Sequence, residues 1–308
     1  MRAIVTGYTG FIGTALCREL IDNGHDVYAI VREGSDKRSK LENIAAGSQH
    51  PGRLEILEAS LGELQTTLID RSIEGDVFYH LAWNGSGGAD REDYHIQTTN
   101  LYYVEDAIRA AAAIGCKSFV GAGSQAEYGV VENKAMENEV VPHPFMMYGA
   151  AKLAACEMGR ILAGQLGIRF IWPRIYSVYG VGENPGTLVN YVIDSLREGR
   201  VPELSPCENM WNFLYISDCT AALRLLGESS ETEGVYHIAS KDTRVLRSFV
   251  EEIRDIVSPG NKLGFGARIS DPDRTFILDP DISEISELGF VPKVSFSEGI
   301  KRKLEVMN

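Results

Sequence analysis

The chain has 308 residues, enough for one large or two modest domains at about 150 residues each. With 44% hydrophobic and 24% charged residues it has the composition of an ordinary globular protein, and its formal charge of −13 repels phosphodiester backbones. A general nucleic-acid binder is excluded on that ground, although a local pocket for one phosphate is not. Five cysteines (Cys17, Cys116, Cys156, Cys207, Cys219), never in a Cys-x-x-Cys pair, point to a reducing compartment with neither a disulfide framework nor a structural zinc. The opening Met1-Arg2-Ala3-Ile4-Val5-Thr6 reads as a strand rather than a signal peptide, and no apolar run approaches the ~18 residues that span a bilayer. A cytoplasmic protein without a membrane partner is expected.

In chain order, short apolar runs alternate with helical patterns. The runs are Ala3–Thr6, Val27–Val31, Leu54–Leu57, Val77–Ala82, Ser118–Ala122 and Ile168–Pro173. Apolar strands without alternation, separated by helices, predict parallel βαβ units covered on both faces. Phe11–Asn23 and Thr98–Ile114 carry apolar residues at helical spacing, and Gly24 offers a stop after the first. After about Tyr176 the rhythm changes to a Pro- and Gly-rich stretch around one helix near Leu188–Glu198, and Pro259–Pro292 is again rich in Pro, Gly and Asp. The predicted architecture is a doubly wound α/β sheet of Rossmann type with a smaller C-terminal lobe. Residues 1–175 form the dinucleotide domain, rejoined by 212–240, and 176–211 with 241–308 form the substrate lobe.

The first strand runs into Thr6-Gly7-Tyr8-Thr9-Gly10-Phe11-Ile12-Gly13 and a helix. Small residues let a backbone approach a pyrophosphate, and the helix N-terminus presents free N–H groups and a positive dipole end. Gly7, Thr9, Gly10, Phe11, Ile12 and Gly13 are therefore candidate cofactor contacts. Strand Val27–Val31 ends at Arg32, a planar donor fork suited to a 2′-phosphate, with Ser35, Lys37 or Arg38 placed to close the pocket. NADP is favoured over NAD; the competing reading has Glu33 or Asp36 bind the ribose of NAD.

Tyr148 and Lys152 stand at i and i+4 on a predicted helix that runs to about Leu166, which puts both on one face. A cation beside a phenol favours the phenolate and brings a poor acid–base group towards its working range. Alone, the spacing also describes an ordinary surface pair. Ser124 lies 24 residues before Tyr148, at the carboxyl end of strand Ser118–Ala122, where doubly wound sheets bind ligands.

With these residues the chain resembles the extended short-chain dehydrogenase/reductase family, the NAD(P)-dependent epimerase/dehydratase family of nucleotide-sugar enzymes. The resemblance rests on the Gly7/Gly10/Gly13 turn, His80-Leu81-Ala82-Trp83, Asn100 and Ser124-Gln125-Ala126-Glu127-Tyr128-Gly129. It continues through Tyr148 to Lys152, Pro173-Arg174-Ile175-Tyr176-Ser177-Val178-Tyr179-Gly180 and Trp211 to Asp218. It implies a catalytic trio in which Tyr148 exchanges a proton with a sugar oxygen. Lys152 tunes the phenol and binds the nicotinamide ribose, and Ser124 hydrogen-bonds the reacting carbonyl or hydroxyl. Leu81, Ala82 and Asn100 carry over as cofactor-side positions, Asn100 equally as a structural hydrogen-bonder; Gln125, Tyr176 and Trp211 carry over as substrate-side positions.

Departures from the family pattern narrow the reaction. The 4,6-dehydratases have Thr-Asp-Glu where this chain has Ser124-Gln125-Ala126, and neither Gln125 nor Ala126 can act as acid or base, so dehydration is not expected. Ser60-Leu61 replaces the usual Asp-Leu that contacts adenine, Trp211-Asn212-Phe213 replaces Arg-Asp-Phe, and Ser177 stands for a usual Asn. The closest resemblance is to the 4-ketoreductase branch, CDP-abequose synthase and similar enzymes. The reading is NADPH-dependent reduction of a nucleotide-linked 4-keto-6-deoxy sugar. The alternatives are an NDP-sugar 4-epimerase or dehydrogenase, or a non-catalytic NADP-binding sensor. No histidine spacing supports a metal, His80 reads as packed structure, and the helices Thr98–Ile114 and Tyr148–Leu166 resemble those that pair subunits of family homodimers.

Overall fold

The computed structural model describes residues 1–32, 34, 52–131, 140–268 and 277–307. Glu33, Ser35, Asp36, Lys37 and Arg38 lie outside the described residues. Two compact units share the chain. One holds Met1–Gly129, Val141–Ile175 and Thr220–Tyr236; the other holds Val130–Val140, Tyr176–Cys219 and His237–Asn308.

The first unit is built on a parallel sheet of β1 (Arg2–Thr6), β2 (Asp26–Val31), β3 (Leu54–Glu58), β4 (Val77–His80), β5 (Ser118–Gly121), β6 (Gly123–Ser124) and β7 (Arg169–Ile175). An eighth strand, β11 (Gly234–Ile238), lies beside β7, giving the order β11-β7-β5-β4-β1-β2-β3 with β6 paired to β7. The order reverses between β1 and β4, where Val5 pairs with Ala29 on one side and Tyr79 on the other. Such a switch leaves a crevice at the carboxyl ends of the two strands, the place where doubly wound sheets hold ligands.

Helices α1 (Phe11–Asp22), α2 (Leu64–Asp70), α3 (Tyr94–Ala113) and α4 (Met147–Leu166) cover this sheet. Ala107, Ala110, Ala111 and Ala155 are buried between helices and sheet, small enough for close approach. On β4, β5 and β7, Phe78, Phe119, Phe170 and Trp172 form a stack with centroid spacings of 5.9, 5.9 and 5.5 Å, packed in the same core. Asp93 caps α3 by accepting from the Ile96 N–H at 2.8 Å, and Gly167, at φ 71°, ends α4 in the left-handed conformation.

The second unit contains β8 (Ser177–Tyr179), β9 (Glu203–Leu204), β10 (Met210–Tyr215), β12 (Thr243–Val245) and β13 (Gly264–Phe265). Its helices are α5 (Leu188–Arg197), α7 (Leu246–Val257), α8 (Ser283–Glu287) and α9 (Phe296–Met307), and α6 (Ile216–Glu228) runs from this unit into the first. Strand β10 corrects the expectation that residues 212–240 rejoin the main sheet as a block. It pairs instead with β8 and β12 in a separate three-stranded sheet. Packing explains the placement: Phe213 lies 5.1 Å from Phe249 and 5.3 Å from Phe296, in an aromatic cluster of the second unit. Among the described residues no helix is long and apolar enough to cross a membrane.

Candidate active site

The glycine turn sits at the switch between β1 and β4. Gly7 has φ +75°, and a Cβ there would stand 2.6 Å from the Ala82 nitrogen and 2.7 Å from the Leu81 carbonyl carbon. A Cβ on Gly13 would collide with the Gly7 carbonyl oxygen, so α1 packs directly on the turn that precedes it. Gly10 is the N-cap of α1 and brings no side-chain acceptor, which leaves first-turn N–H groups, from Phe11 and Ile12 onward, for a ligand.

A cleft of about 520 Å³ opens here, lined among others by Gly7, Thr9, Gly10, Arg32, Leu81 and Ala82. Arg32 is exposed at the end of β2, and Ala59 and Leu61 lie on the same wall. The bare backbone at Gly7, the uncapped helix start and the guanidinium at one end suit a dinucleotide: close approach for the pyrophosphate, donors for its oxygens and a cation for a ribose or 2′-phosphate. Asn100 acts differently. Its amide donates to the Asn84 and Ile96 carbonyls, both at 3.0 Å, and its oxygen accepts from the Asn84 N–H at 2.8 Å. These three bonds hold the loop that lines the cleft.

The candidate acid–base residues also lie in the first unit. Ser124, on β6, caps the short 3-10 turn Gln125–Glu127: its hydroxyl accepts from the Ala126 N–H at 3.2 Å. The same hydroxyl faces the phenol of Tyr148, which comes from the first turn of α4, and favours its ionised form. The side-chain oxygen of neighbouring Gln125 is buried without a hydrogen-bond partner. A ketone or hydroxyl at this position would meet two oxygen-directed groups, Ser124 and Tyr148, and no acidic pair.

The sequence reading missed Glu127 as a working residue. Fully buried, its carboxylate accepts from the Ser124 N–H at 2.7 Å, Trp172 Nε1 at 3.0 Å and Arg174 Nε at 2.8 Å. Arg174 is 3% exposed and also lies 4.4 Å above the Tyr128 ring. The signal was present in the chain, since Ser124-x-x-Glu127 is a capping-box spacing.

Trp83 and Arg91 were missed as well. Lys152 Nζ sits 3.6 Å from the centre of the Trp83 ring and donates to the Ala122 carbonyl at 2.6 Å. Trp83 in turn meets Tyr148 edge-on at 6.1 Å, and Arg91 lies over the Tyr148 ring at 4.5 Å. His80 behaves as read: buried, stacked on Phe119 at 5.9 Å and joined to Thr6 Oγ1 at 3.0 Å. Burial, with the Lys152 charge helping, pushes it down to about 3, so it stays neutral.

Lys152 Nζ lies 5.8 Å from the centre of the Tyr148 ring, and the two groups are perturbed by different neighbours. Burial raises the phenol above its usual value; the Ser124 hydroxyl and the Arg91 charge pull it down, and Glu127 pushes it further up. Burial pulls the Lys152 ammonium down to about 7, against the Glu127 charge that supports it.

Tyr176 and Trp211 belong to the second unit. Tyr176 is 4% exposed and packs edge-on against His237 at 5.4 Å, so its ring serves a core rather than a surface. Trp211 lies on β10, half-buried, 6.2 Å from Phe213.

Two outcomes are expected. Glu127→Gln strands the buried Arg174 cation and costs about 3–5 kcal/mol in chemical denaturation, and adding Arg174→Met recovers a large part of it. The ammonium of Lys152 is penalised in the fold, fully below about 7 and less as pH rises towards the ordinary lysine range. Between those limits the cofactor-free wild type should therefore gain stability relative to Lys152→Met, by on the order of a few kcal/mol, in melts recorded across that range.

A model of the NAD dependent epimerase/dehydratase family matches residues 3–239. YtcB of Bacillus subtilis, described as an uncharacterized UDP-glucose epimerase, is 26% identical, with 100% of this chain and 98% of that protein covered. A dTDP-6-deoxy-L-talose 4-dehydrogenase (NAD(+)) of Aggregatibacter actinomycetemcomitans is 25% identical over 82% of this chain and 89% of its own. The crystal structure of a UDP-glucose 4-epimerase from Thermotoga maritima with UDP-glucose superposes with a TM-score of 0.84 at 22% identity, covering 100% of this chain and 98% of that one. The match takes in the glycine turn, the Ser124–Tyr148–Lys152 trio and most of the chain, and the protein belongs to the NAD dependent epimerase/dehydratase family.

Proposed function

We propose that the protein is an NADPH-dependent reductase of a nucleotide-diphosphate-linked 4-keto-6-deoxy sugar. The observation that carries this reading is the Ser124 hydroxyl facing the Tyr148 phenol beside the neutral amide of Gln125. That arrangement delivers one proton to one oxygen and has no carboxylate pair to eliminate water. Likeness to a dehydrogenase that acts at position 4 of a dTDP-6-deoxy sugar supports it.

When bound, the nicotinamide supplies hydride to the carbonyl carbon. Ser124 holds the carbonyl oxygen by hydrogen bond, and Tyr148 gives that oxygen its phenolic proton as negative charge develops. Lys152, held by Ala122 and Trp83, takes the nicotinamide ribose. Arg32, at the end of the cleft, supports NADP over NAD because a reductase that consumes its cofactor draws on the reduced phosphate form. The likeness to epimerases supports a second reading, in which a retained cofactor oxidises and re-reduces the same carbon.

One assay separates the two. With a CDP- or dTDP-4-keto-6-deoxyhexose, loss of NADPH absorbance is expected for the wild type, with Tyr148→Phe slower by about 10²-fold or more. Arg32→Asp should move the preference towards NADH. Product formed without net NADPH consumption favours the epimerase.

We also propose a homodimer formed through α3 and α4. Tyr94, Tyr102, Met158 and Ile161 are exposed along a groove of about 740 Å³ between these helices. An apolar face of this kind, rimmed by Glu105 and Arg109, suits a second copy of itself. Light scattering at micromolar protein should give twice the chain mass, and a monomer would refute it.

A further inference from the structure

We propose that Arg91 is a positioning residue of the reaction, the permanent cation that holds the Tyr148 phenol ready to exchange its proton. The proposal rests on the reading of Tyr148 as the proton-exchanging group.

Arg91 projects from the 3-10 turn Gly88–Glu92, which precedes α3, and its guanidinium carbon lies 4.5 Å from the centre of the Tyr148 ring. Lys152 Nζ is farther, at 5.8 Å, and its charge is committed to Ala122 and Trp83. The Nε of Arg91 is buried and has no hydrogen-bond partner. A buried donor left unmatched is costly, and here the guanidinium that carries it rests on the ring.

The backbone around Arg91 is fixed from both sides. Gln97, 1% exposed, donates to the Asp90 carbonyl at 2.9 Å and to the Gly85 carbonyl at 2.7 Å. Its oxygen accepts from Trp83 Nε1 at 2.9 Å, so one amide holds both the turn that carries Arg91 and the indole that presses on the edge of Tyr148. On the other side, the carboxylate of Glu92 accepts from the N–H of Met147, the residue before Tyr148, at 3.3 Å. The turn and the start of α4 are thereby joined directly at the reacting residue.

A cation on the face of a phenol stabilises the electron-rich phenolate more than the neutral ring. Among the described residues, the groups that face Tyr148 are few. From the Gln125–Glu127 turn come the Ser124 hydroxyl, which favours the phenolate, and the Glu127 carboxylate, which opposes it. Lys152 lies one turn along α4 with His80 beyond it; burial keeps His80 neutral and lowers the Lys152 ammonium against the support of Glu127. Glu92 is engaged by the Met147 N–H. Of these cations Arg91 is the one nearest the ring, at 4.5 Å against 5.8 Å for Lys152.

The test is the Tyr148 titration itself, read on the full-length protein as phenolate absorbance at 295 nm after subtraction of the matching Tyr148→Phe protein. Arg91→Gln should move this titration up by about one pH unit, a tenfold change in the ionisation constant, and carry the Tyr148 limb of the kcat–pH profile with it. Arg91→Lys, which keeps the charge, should hold both near wild type. An unmoved titration in Arg91→Gln, or an equal displacement in Arg91→Lys, overturns the proposal. Full turnover by Tyr148→Phe would instead sink the reading of Tyr148, and the 295 nm titration would still report on Arg91.

Discussion

The buried carboxylate of Glu127 is the contact on which the reacting end of the first unit depends. It gathers a backbone N–H from β6, an indole N–H and a guanidinium from β7, and so fixes Ser124 against the end of the sheet. A charge in that position, 0% exposed, is sustained by a guanidinium partner and three hydrogen bonds. Its influence extends further: it supports the Lys152 ammonium and opposes ionisation of Tyr148. The same group that locates the serine therefore sets an electrostatic level against which the phenol must work.

Around that level the chain distributes two kinds of cation. Lys152 is sunk beneath Trp83 and against a carbonyl, where desolvation makes its charge conditional. Arg91 is laid on the ring from outside the helix, and its charge is unconditional. Division of labour follows from burial alone. A lysine that readily loses its charge is suited to move or share a proton, whereas a guanidinium supplies a constant field.

Much of this was legible in the sequence because it follows from local spacing. The glycine turn falls between a strand and an amphipathic helix, and the Tyr148/Lys152 pair obeys the helical repeat, so both could be placed without coordinates. What escaped comes from contacts without a fixed spacing. Arg91 reaches Tyr148 across 57 positions and Glu127 meets Arg174 across 47, and no periodicity announces such pairs. Strand β10 was misplaced for a related reason: its apolar pattern suits any sheet, and the choice was made by Phe249 and Phe296, far along the chain. Asn100 shows the converse, a recognisable motif residue whose hydrogen bonds are spent on a loop.

Tryptophan is rare here, three in the chain, yet two of them stand at the reacting groups: Trp83 under the Lys152 ammonium and Trp172 on the Glu127 carboxylate. Indole emission responds to charge held against the ring. The molecule consequently carries its own optical gauge of the charges around Tyr148, with Trp83 reporting on the Lys152 cation and Trp172 on both that cation, 5.9 Å away, and the Glu127 anion.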